Sequence, residues 1–262
     1  METFPVAVFT AWQPSAVRAQ MSENVFKARI MCAQEFLRSV RSVTPHVVVV
    51  TDSLSEPLAR QTGVQTMQME NQNTGATRRA ALSAALALVP EEGPSALVWS
   101  EPEKIEIGKF LKIITQPVLE GAADLIIPRR ADMASYPSWQ VSWEATGNAM
   151  CSTVLGQEFD YFFGPRVLNK RAASYFLNYP GTQQVSDAWD CVYSPLVDCK
   201  YAGLKFGEVV IDFSYPSVQR DAEREDMSML PRRTKTLDLI VRELVQRKLF
   251  LEQHTHGESI AR

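Results

Sequence analysis

The most constraining feature of the sequence is a run of four valines at positions 47–50, with no polar residue among them. A continuous β-branched run of this kind is typical of a strand that is buried on both faces, as the central strands of a parallel sheet are. Parallel strands need crossover connections, which are usually helices. The run therefore predicts an α/β fold with helices on both faces of a sheet.

The chain around this run alternates short apolar segments with helical patterns. Further strands are predicted at 6–9, 64–69, 96–99, 123–127 and 206–213. Helices are predicted at 22–41, 56–61, 80–88, 106–120, 139–155, 172–177, 187–202 and 234–252. We therefore expect a mostly parallel sheet flanked by helices, with an amphipathic helix near the C-terminus. The absence of a linker or repeat favours one domain over 1–253, followed by a flexible tail at 254–262.

Composition argues against several classes of protein. The hydrophobic fraction of 45% is that of an ordinary globular core, and the net charge of -3 gives no reason to expect nucleic acid or an anionic membrane as a partner. Four cysteines without a CxxC pair, with three histidines, argue against a zinc site or a disulfide framework. No apolar stretch approaches the ~20 residues of a membrane helix. We see no signal peptide and expect a soluble, cytoplasmic protein.

Two carboxylates follow the apolar segment 96–99. Glu101 and Glu103 flank Pro102, which cannot continue a central strand. They should therefore lie just past the carboxyl end of this strand, where open α/β sheets bind ligands. Neighbouring carboxylates are suited to Mg²⁺ or Mn²⁺, because hard cations prefer oxygen ligands. The alternative is a solvated turn with two surface glutamates.

The order of these segments over residues 5–220 resembles the GT-A nucleotide-sugar glycosyltransferases, especially the family 2 type and the mannosylglycerate synthases. In that family an acidic residue follows the second strand, as Asp52 does here. An Asn-x-Gly loop then leads into an alanine-rich helix, as Asn73 and Gly75 do. Glu101 and Glu103 occupy the place of the family's metal-binding Asp-x-Asp motif. The resemblance implies a GT-A-like, Rossmann-like fold.

The resemblance also implies a nucleoside-diphosphate-sugar donor, based on UDP or GDP, and a hydroxyl acceptor that it does not identify. The expected donor half is about 1–130, the acceptor half about 131–220 and the C-terminal helix 232–253. Glu101 and Glu103 would hold Mg²⁺ or Mn²⁺. The expected donor-binding residues are Thr10, Trp12, Asp52, Asn73, Gly75, Arg79, Glu101 and Arg129.

A transferase of this kind must stabilise the leaving diphosphate and, if it inverts the sugar, remove a proton from the acceptor. Arg79 and Arg129 are the alternatives to a metal for the first task. Asp187 and Asp190 lie three residues apart on a predicted helix and are the candidate bases, although Asp187 is also a candidate N-cap. Trp12 is either a stacking platform or part of the core.

Further alternatives stay open at this level. Aromatic residues at 136, 139 and 143 line an acceptor groove or pack in the core. A sugar nucleotidyltransferase would use a similar sheet, but the segment 10–15 lacks the glycine and lysine of its phosphate loop. A third interpretation is an inactive GT-A-like module that binds a nucleotide or a protein. The apolar stripe of the C-terminal helix fits packing on its own domain and a homodimer equally well.

Overall fold

Strands and helices alternate closely along the chain. The structure, a computed structural model, describes residues 4–16, 18–70, 73–179, 189–224 and 229–258. Its strands are β1 (Val6–Trp12), β2 (His46–Thr51), β3 (Gln65–Gln68), β4 (Ala96–Trp99), β5 (Leu125–Ile126), β6 (Arg129–Arg130), β7 (Arg166–Leu168), β8 (Phe206–Gly207) and β9 (Val210–Ile211). Its α-helices are α1 (Glu23–Arg41), α2 (Glu56–Arg60), α3 (Thr74–Leu86), α4 (Ile107–Leu119), α5 (Ser138–Leu155), α6 (Lys170–Leu177), α7 (Asp190–Tyr201), α8 (Ser217–Glu223) and α9 (Met229–Glu258).

The large sheet has the strand order β3-β2-β1-β4-β7-β5-β8. β1 pairs in parallel with β2 and β4, β2 with β3, and β5 with β8. β7 runs antiparallel between β4 and β5. The predicted α/β fold with a mixed, mostly parallel sheet is therefore confirmed. The sequence pattern misses β7, because three residues are too few to show a strand period.

Helices cover both faces of the sheet, which explains the unbroken valine run. Val47 and Val49 face the core that contains the apolar stripes of α1 and α4. Val48 and Val50 face the opposite core, to which α3, α7 and α9 contribute. Because side chains alternate across a strand, a strand buried on both faces must be apolar at every position.

Several boundaries differ from the sequence prediction. α3 begins at Thr74, ahead of the predicted start at 80, because the Asn73 side chain accepts a hydrogen bond from the Ala76 N–H at 2.7 Å and caps the helix. The segment 206–213 divides into β8 and β9, and β9 pairs with β6 in a separate sheet. α9 is helical to Glu258. No helix within the described ranges has the length and apolar character needed to span a membrane.

A buried ion pair network fixes α5 against the rest of the fold. The Arg130 guanidinium donates to Asp160 at 2.6 and 2.7 Å and lies 2.7 Å from a Glu144 oxygen on α5. Asn148, also on α5, donates to Asp160 at 3.1 Å. Burial works against the Arg130 charge, but the two carboxylates outweigh it and raise the pKa of Arg130. The position of α5 matters because its inner face forms one wall of the cleft described below.

Gly108 allows α4 to approach α1 closely. A Cβ atom at this position would lie 2.8 Å from the backbone carbon and carbonyl oxygen of Ser39. We expect Gly108→Ala to lower the free energy of unfolding by about 1–3 kcal/mol, because the helices must separate to admit the methyl group. Urea denaturation measures this loss. Ile113→Ala, at a 51% exposed position on the same helix, is the control and should change stability little. An equal loss in both variants would contradict the close-approach explanation.

Candidate active site

A cleft of about 300 Å³ opens where β1 and β4 end. Trp12 and Trp99, the last residues of these strands, both line it. α1, α3, α5, α7, α8 and α9 contribute side chains to the walls, together with the loops that follow β1 and β4. The loop after β4 lines the cleft with its four consecutive residues Glu101, Pro102, Glu103 and Lys104. The carboxyl edge of the sheet is therefore the candidate site.

Glu101 is held close to the backbone of a neighbouring turn. Gly164 has a φ of +105°, and a Cβ atom there would overlap the Glu101 carboxylate. The Oε2 atom of Glu101 is shielded from solvent and has no hydrogen-bond partner within the described residues. Burial raises the pKa of Glu101, and the nearby cations Lys104 and Arg78 offset only part of this rise. Glu101 thus keeps one carboxylate oxygen that has no hydrogen-bond partner among the described residues and is shielded from solvent beside Gly164.

Glu103 is already paired with a cation. Its carboxylate lies 3.3 Å from a guanidinium nitrogen of Arg29 on α1. Arg29 also donates to Glu223 of α8 at 2.9 and 3.2 Å, and Glu223 accepts a hydrogen bond from the Tyr215 hydroxyl at 2.7 Å. Burial would raise the pKa of Glu223, but Arg29 and Tyr215 outweigh this and lower it. One guanidinium thus compensates two carboxylates.

Lys104 presents a buried ammonium group to the same cleft. Its Nζ lies between 5.3 and 5.9 Å from the ring centres of Tyr136, Phe163, Phe213 and Tyr215. Burial would lower the pKa of Lys104, but Tyr136 and the carboxylates Glu101 and Glu144 outweigh this and raise it. Aromatic faces attract a cation without using its N–H donors. Lys104 is therefore a charged donor available to an anion.

Arg78, and not its neighbour Arg79, faces the cleft. The Arg78 guanidinium lies 4.5 Å from the ring centre of Trp99 and 4.2 Å from that of Trp189. Arg79 is absent from the cleft lining, and together with Arg78 and Trp99 it lines a second, small cavity of about 30 Å³. Adjacent residues on a helix point about 100° apart, so the two arginines take different positions relative to the cleft. The sequence prediction named Arg79 because a local pattern does not show which face of α3 meets the ligand.

Of the predicted donor residues near β1 and β2, Trp12 is part of the cleft lining, whereas Thr10 and Asp52 are not. Trp12 is buried and contributes to the cleft wall. Thr10 is buried in β1, and its hydroxyl has no hydrogen-bond partner within the described residues. Asp52 accepts hydrogen bonds from the backbone N–H and hydroxyl groups of both Ser15 and Ser55. Asp52 therefore holds the loop after β1 against the end of β2.

The amino end of α3 also points into the cleft. Asn73 caps the helix, Gly75 is buried in its first turn, and Thr74 and Thr77 line the cleft. The first N–H groups of a helix lack partners within the helix, and the helix dipole favours negative charge there. This end of α3 is consequently suited to a phosphate group.

Two of the predicted residues, Arg129 and Asp190, are absent from the cleft lining. Arg129 is exposed on β6 and pairs with Glu208 at 3.3 Å, and it is not part of the cleft lining. Asp190 is fully buried at the start of α7 and accepts a hydrogen bond from the Tyr179 hydroxyl at 3.0 Å. Asp187 lies outside the described residues. The predicted bases therefore stay predictions, as does the role of Arg129.

The wall opposite β1 is aromatic and polar. α5 contributes Gln140, Trp143 and Glu144 to the lining. Arg233 of α9 lies over the rings of Trp139 and Trp143, at 4.8 and 5.7 Å from their centres. The Tyr136 ring lies 5.8 Å from the Lys104 Nζ. Of the three predicted aromatic residues, Trp143 lines the cleft, whereas Tyr136 and Trp139 do not. The cleft lining also includes Arg29, Gln219 and Arg233, which lie on helices that are distant in sequence. No sequence motif indicates that these residues belong to the site.

The carboxylates of the cleft are few. No group of three or more His, Cys, Asp or Glu side chains arranged to hold a metal ion is found within the described part of the chain. Glu101 and Glu103, the predicted metal ligands, are both present at the end of β4, but Glu103 is paired with Arg29.

Comparison with known proteins identifies the class of fold. No protein-family model and no curated protein matches the sequence. Among solved structures, the chain is similar to glucosyl-3-phosphoglycerate synthase from Mycobacterium tuberculosis in complex with Mn²⁺, UDP-glucose and phosphoglyceric acid. The TM-score is 0.60 at 11% identity, over 93% of this chain and 79% of that one. The chain thus has the fold of a GT-A glycosyltransferase.

The same fold also occurs in nucleotidyltransferases. The chain is similar to 4-diphosphocytidyl-2C-methyl-D-erythritol synthase from Anaerococcus prevotii, with a TM-score of 0.50 at 9% identity, over 83% of this chain and 92% of that one. It is equally similar to CMP:2-keto-3-deoxy-manno-octonic acid synthetase complexed with CTP, with a TM-score of 0.50 at 12% identity, over 88% and 100% of the two chains. The fold is therefore that of enzymes that act on sugar nucleotides and related nucleotides.

Asp52 should stabilise the fold in a pH-dependent way. Burial would raise its pKa, but the hydrogen bonds from Ser15 and Ser55 outweigh burial and lower it. A lowered pKa in the folded state means that the stabilisation is present above the unfolded pKa of about 4 and is lost as the pH falls. We expect Asp52→Asn to cost about 1–3 kcal/mol near neutral pH and progressively less towards about pH 3.

Urea denaturation across this pH range measures the effect. Asp238→Asn, at a side chain that is 68% exposed on α9, is the control and should change stability little at any pH. A loss in Asp52→Asn that stays constant with pH would show that the carboxylate charge does not contribute.

Proposed function

We propose that this chain is a glycosyltransferase that binds a nucleoside-diphosphate sugar, based on UDP or GDP, and transfers the sugar to a hydroxyl acceptor. The observation that carries the proposal is the pair of buried cations, Arg78 and Lys104, at the carboxyl end of β4 in an aromatic cleft. Positive charge that is fixed in a shielded site stabilises a leaving diphosphate strongly, because it needs no rearrangement during the reaction.

The lining suggests how the donor would lie. Trp12 at the end of β1 is suited to stacking on the base or ribose, and Asp52 supports the loop beside it. The diphosphate would then reach the amino end of α3, with Arg78 and Lys104 on either side. The volume of about 300 Å³ is at the lower end of the range for small-molecule sites.

The acceptor would enter against α5 and α9. Trp143 offers an apolar face for a sugar ring or a small acceptor, and Gln140 and Arg233 offer hydrogen-bond donors beside it. Asp187 and Asp190 remain the predicted bases. Glu101 is a further carboxylate in the cleft, and its raised pKa is a property that suits a general base.

The sequence also predicts a divalent cation held by Glu101 and Glu103. The solved structure of glucosyl-3-phosphoglycerate synthase, which has the same fold, contains Mn²⁺. When bound, such an ion would neutralise charge on the leaving diphosphate. The residues of this chain do not fit that group as they stand, because Arg29 compensates the charge of Glu103. We therefore derive no catalytic step from a metal ion.

A sugar nucleotidyltransferase is the second candidate, because enzymes of that kind share the fold. The segment 10–15 after β1 lacks glycine and lysine, which counts against it. The reaction products separate the two. A glycosyltransferase releases a nucleoside diphosphate from a sugar nucleotide. A nucleotidyltransferase joins a sugar phosphate to a nucleoside triphosphate, and the triphosphate releases pyrophosphate. Tight nucleotide binding without either product would indicate a non-catalytic binding module.

UDP-glucose and phosphoglyceric acid, the ligands of the similar structure, are the first donor and acceptor to test, followed by GDP-sugars.

We expect Arg78→Met and Lys104→Met each to weaken UDP or GDP binding by about tenfold or more, because a charge-assisted contact to phosphate is lost. Isothermal titration calorimetry measures this affinity.

Lys109→Met is the matched control, since Lys109 is exposed on α4 and pairs with Glu106. It should leave nucleotide binding unchanged. Equal weakening in all three variants would indicate a general charge effect, and no nucleotide binding by the unmodified chain would refute the proposed function.

A further inference from the structure

Arg29 lies beside Glu103, one of the two glutamates after β4 that are predicted to hold a metal ion. It reaches from α1 into the cleft and approaches Glu103 to 3.3 Å. We propose that Arg29 takes the place of a divalent cation beside Glu103, so that the chain binds its nucleotide without a metal. This inference rests on the proposed function for the identity of the ligand, but the position of Arg29 does not depend on it.

The contacts of Arg29 show that it is built into this position. Its side chain is only 19% exposed, and Glu223, which is 2% exposed, accepts hydrogen bonds from its Nε and Nη2. Tyr215 and Gln219 in turn donate to the Glu223 carboxylate, at 2.7 and 3.0 Å. The guanidinium of Arg29 is therefore held by two carboxylates. Because this group is planar and pre-organised, the side chain loses little conformational entropy for each hydrogen bond that it forms.

This arrangement disfavours a metal ion electrostatically. A divalent ion coordinated by Glu103 at ~2.0–2.6 Å would lie within a few ångströms of the Arg29 guanidinium, and the two like charges would repel each other. Arg29 cannot relieve this repulsion by losing its proton. It cannot easily move away either, because Glu223 would then be left as an uncompensated buried charge.

The positive charge that a metal would bring is supplied by the chain itself. Lys104 is the residue after Glu103, and its Nζ takes part in no hydrogen bond or ion pair with any other described residue. Arg78, whose guanidinium lies 4.5 Å from the ring centre of Trp99, also lines the cleft. The lining of the cleft contains four cations, Arg29, Arg78, Lys104 and Arg233, and three carboxylates, Glu101, Glu103 and Glu144, so the cations outnumber the carboxylates by one.

The decisive experiment measures Mn²⁺ and nucleotide binding separately. Electron paramagnetic resonance titration with Mn²⁺ alone should show no bound ion for the unmodified chain. Calorimetry with UDP and GDP should give the same affinity, within about twofold, in EDTA and in Mn²⁺.

The variant Arg29→Met with Glu223→Gln removes the guanidinium without leaving Glu223 charged in the core. It should gain Mn²⁺ binding that the unmodified chain lacks, because Glu101 and Glu103 are then free to act as ligands. Adding Glu103→Gln to this pair should abolish the gain. Glu223→Gln alone, and Arg38→Met at an exposed position of the same helix, are controls that should bind no Mn²⁺.

Mn²⁺ binding by the unmodified chain that is lost in Glu103→Gln would overturn the inference. It would also be overturned if neither the unmodified chain nor the double variant bound Mn²⁺, because Arg29 would then not be what excludes the ion. Failure of UDP and GDP to bind under any condition would refute the proposed function instead, and the Mn²⁺ titration would still decide the role of Arg29.

Discussion

The cleft depends on the parallel pairing of β1 with β4. Val6 lies opposite Ala96 and Phe9 lies opposite Trp99, so both strands end at the same edge of the sheet. β1 continues to Trp12, whereas Pro102 prevents β4 from continuing. A tryptophan and two glutamates are thereby brought to one cleft, and the amino end of α3 closes beside them.

Charge compensation then decides what this edge can do. Burying a carboxylate or a guanidinium is costly unless an opposite charge or a polarisable group meets it. The fold meets this cost in three ways: Arg29 is shared by Glu103 and Glu223, Arg78 lies between two tryptophan rings, and Lys104 lies among four aromatic rings. The result is a cleft in which Arg29 engages Glu103, while Arg78 and Lys104 are held against aromatic rings.

The fold narrows the range of functions without selecting one. Glycosyltransferases and nucleotidyltransferases share this fold. A fold alone does not decide the chemistry, because function depends on the side chains placed at the site. The side chains found here, namely two buried cations and an aromatic wall, are the reason that a diphosphate and a ring are proposed as parts of the ligand. This is why the proposal rests on Arg78 and Lys104 and not on the likeness of the backbone.

The sequence by itself determined the α/β sheet and the place of the two glutamates. A valine run that is buried on both faces and a proline that ends a strand both act through local chain geometry. Their effects can therefore be predicted from the sequence alone. It did not determine that Arg78 rather than Arg79 faces the cleft, or that Arg29 meets Glu223, 194 residues away. Periodicity shows which residues share a face of their own helix, but only the packing of distant helices decides what that face meets.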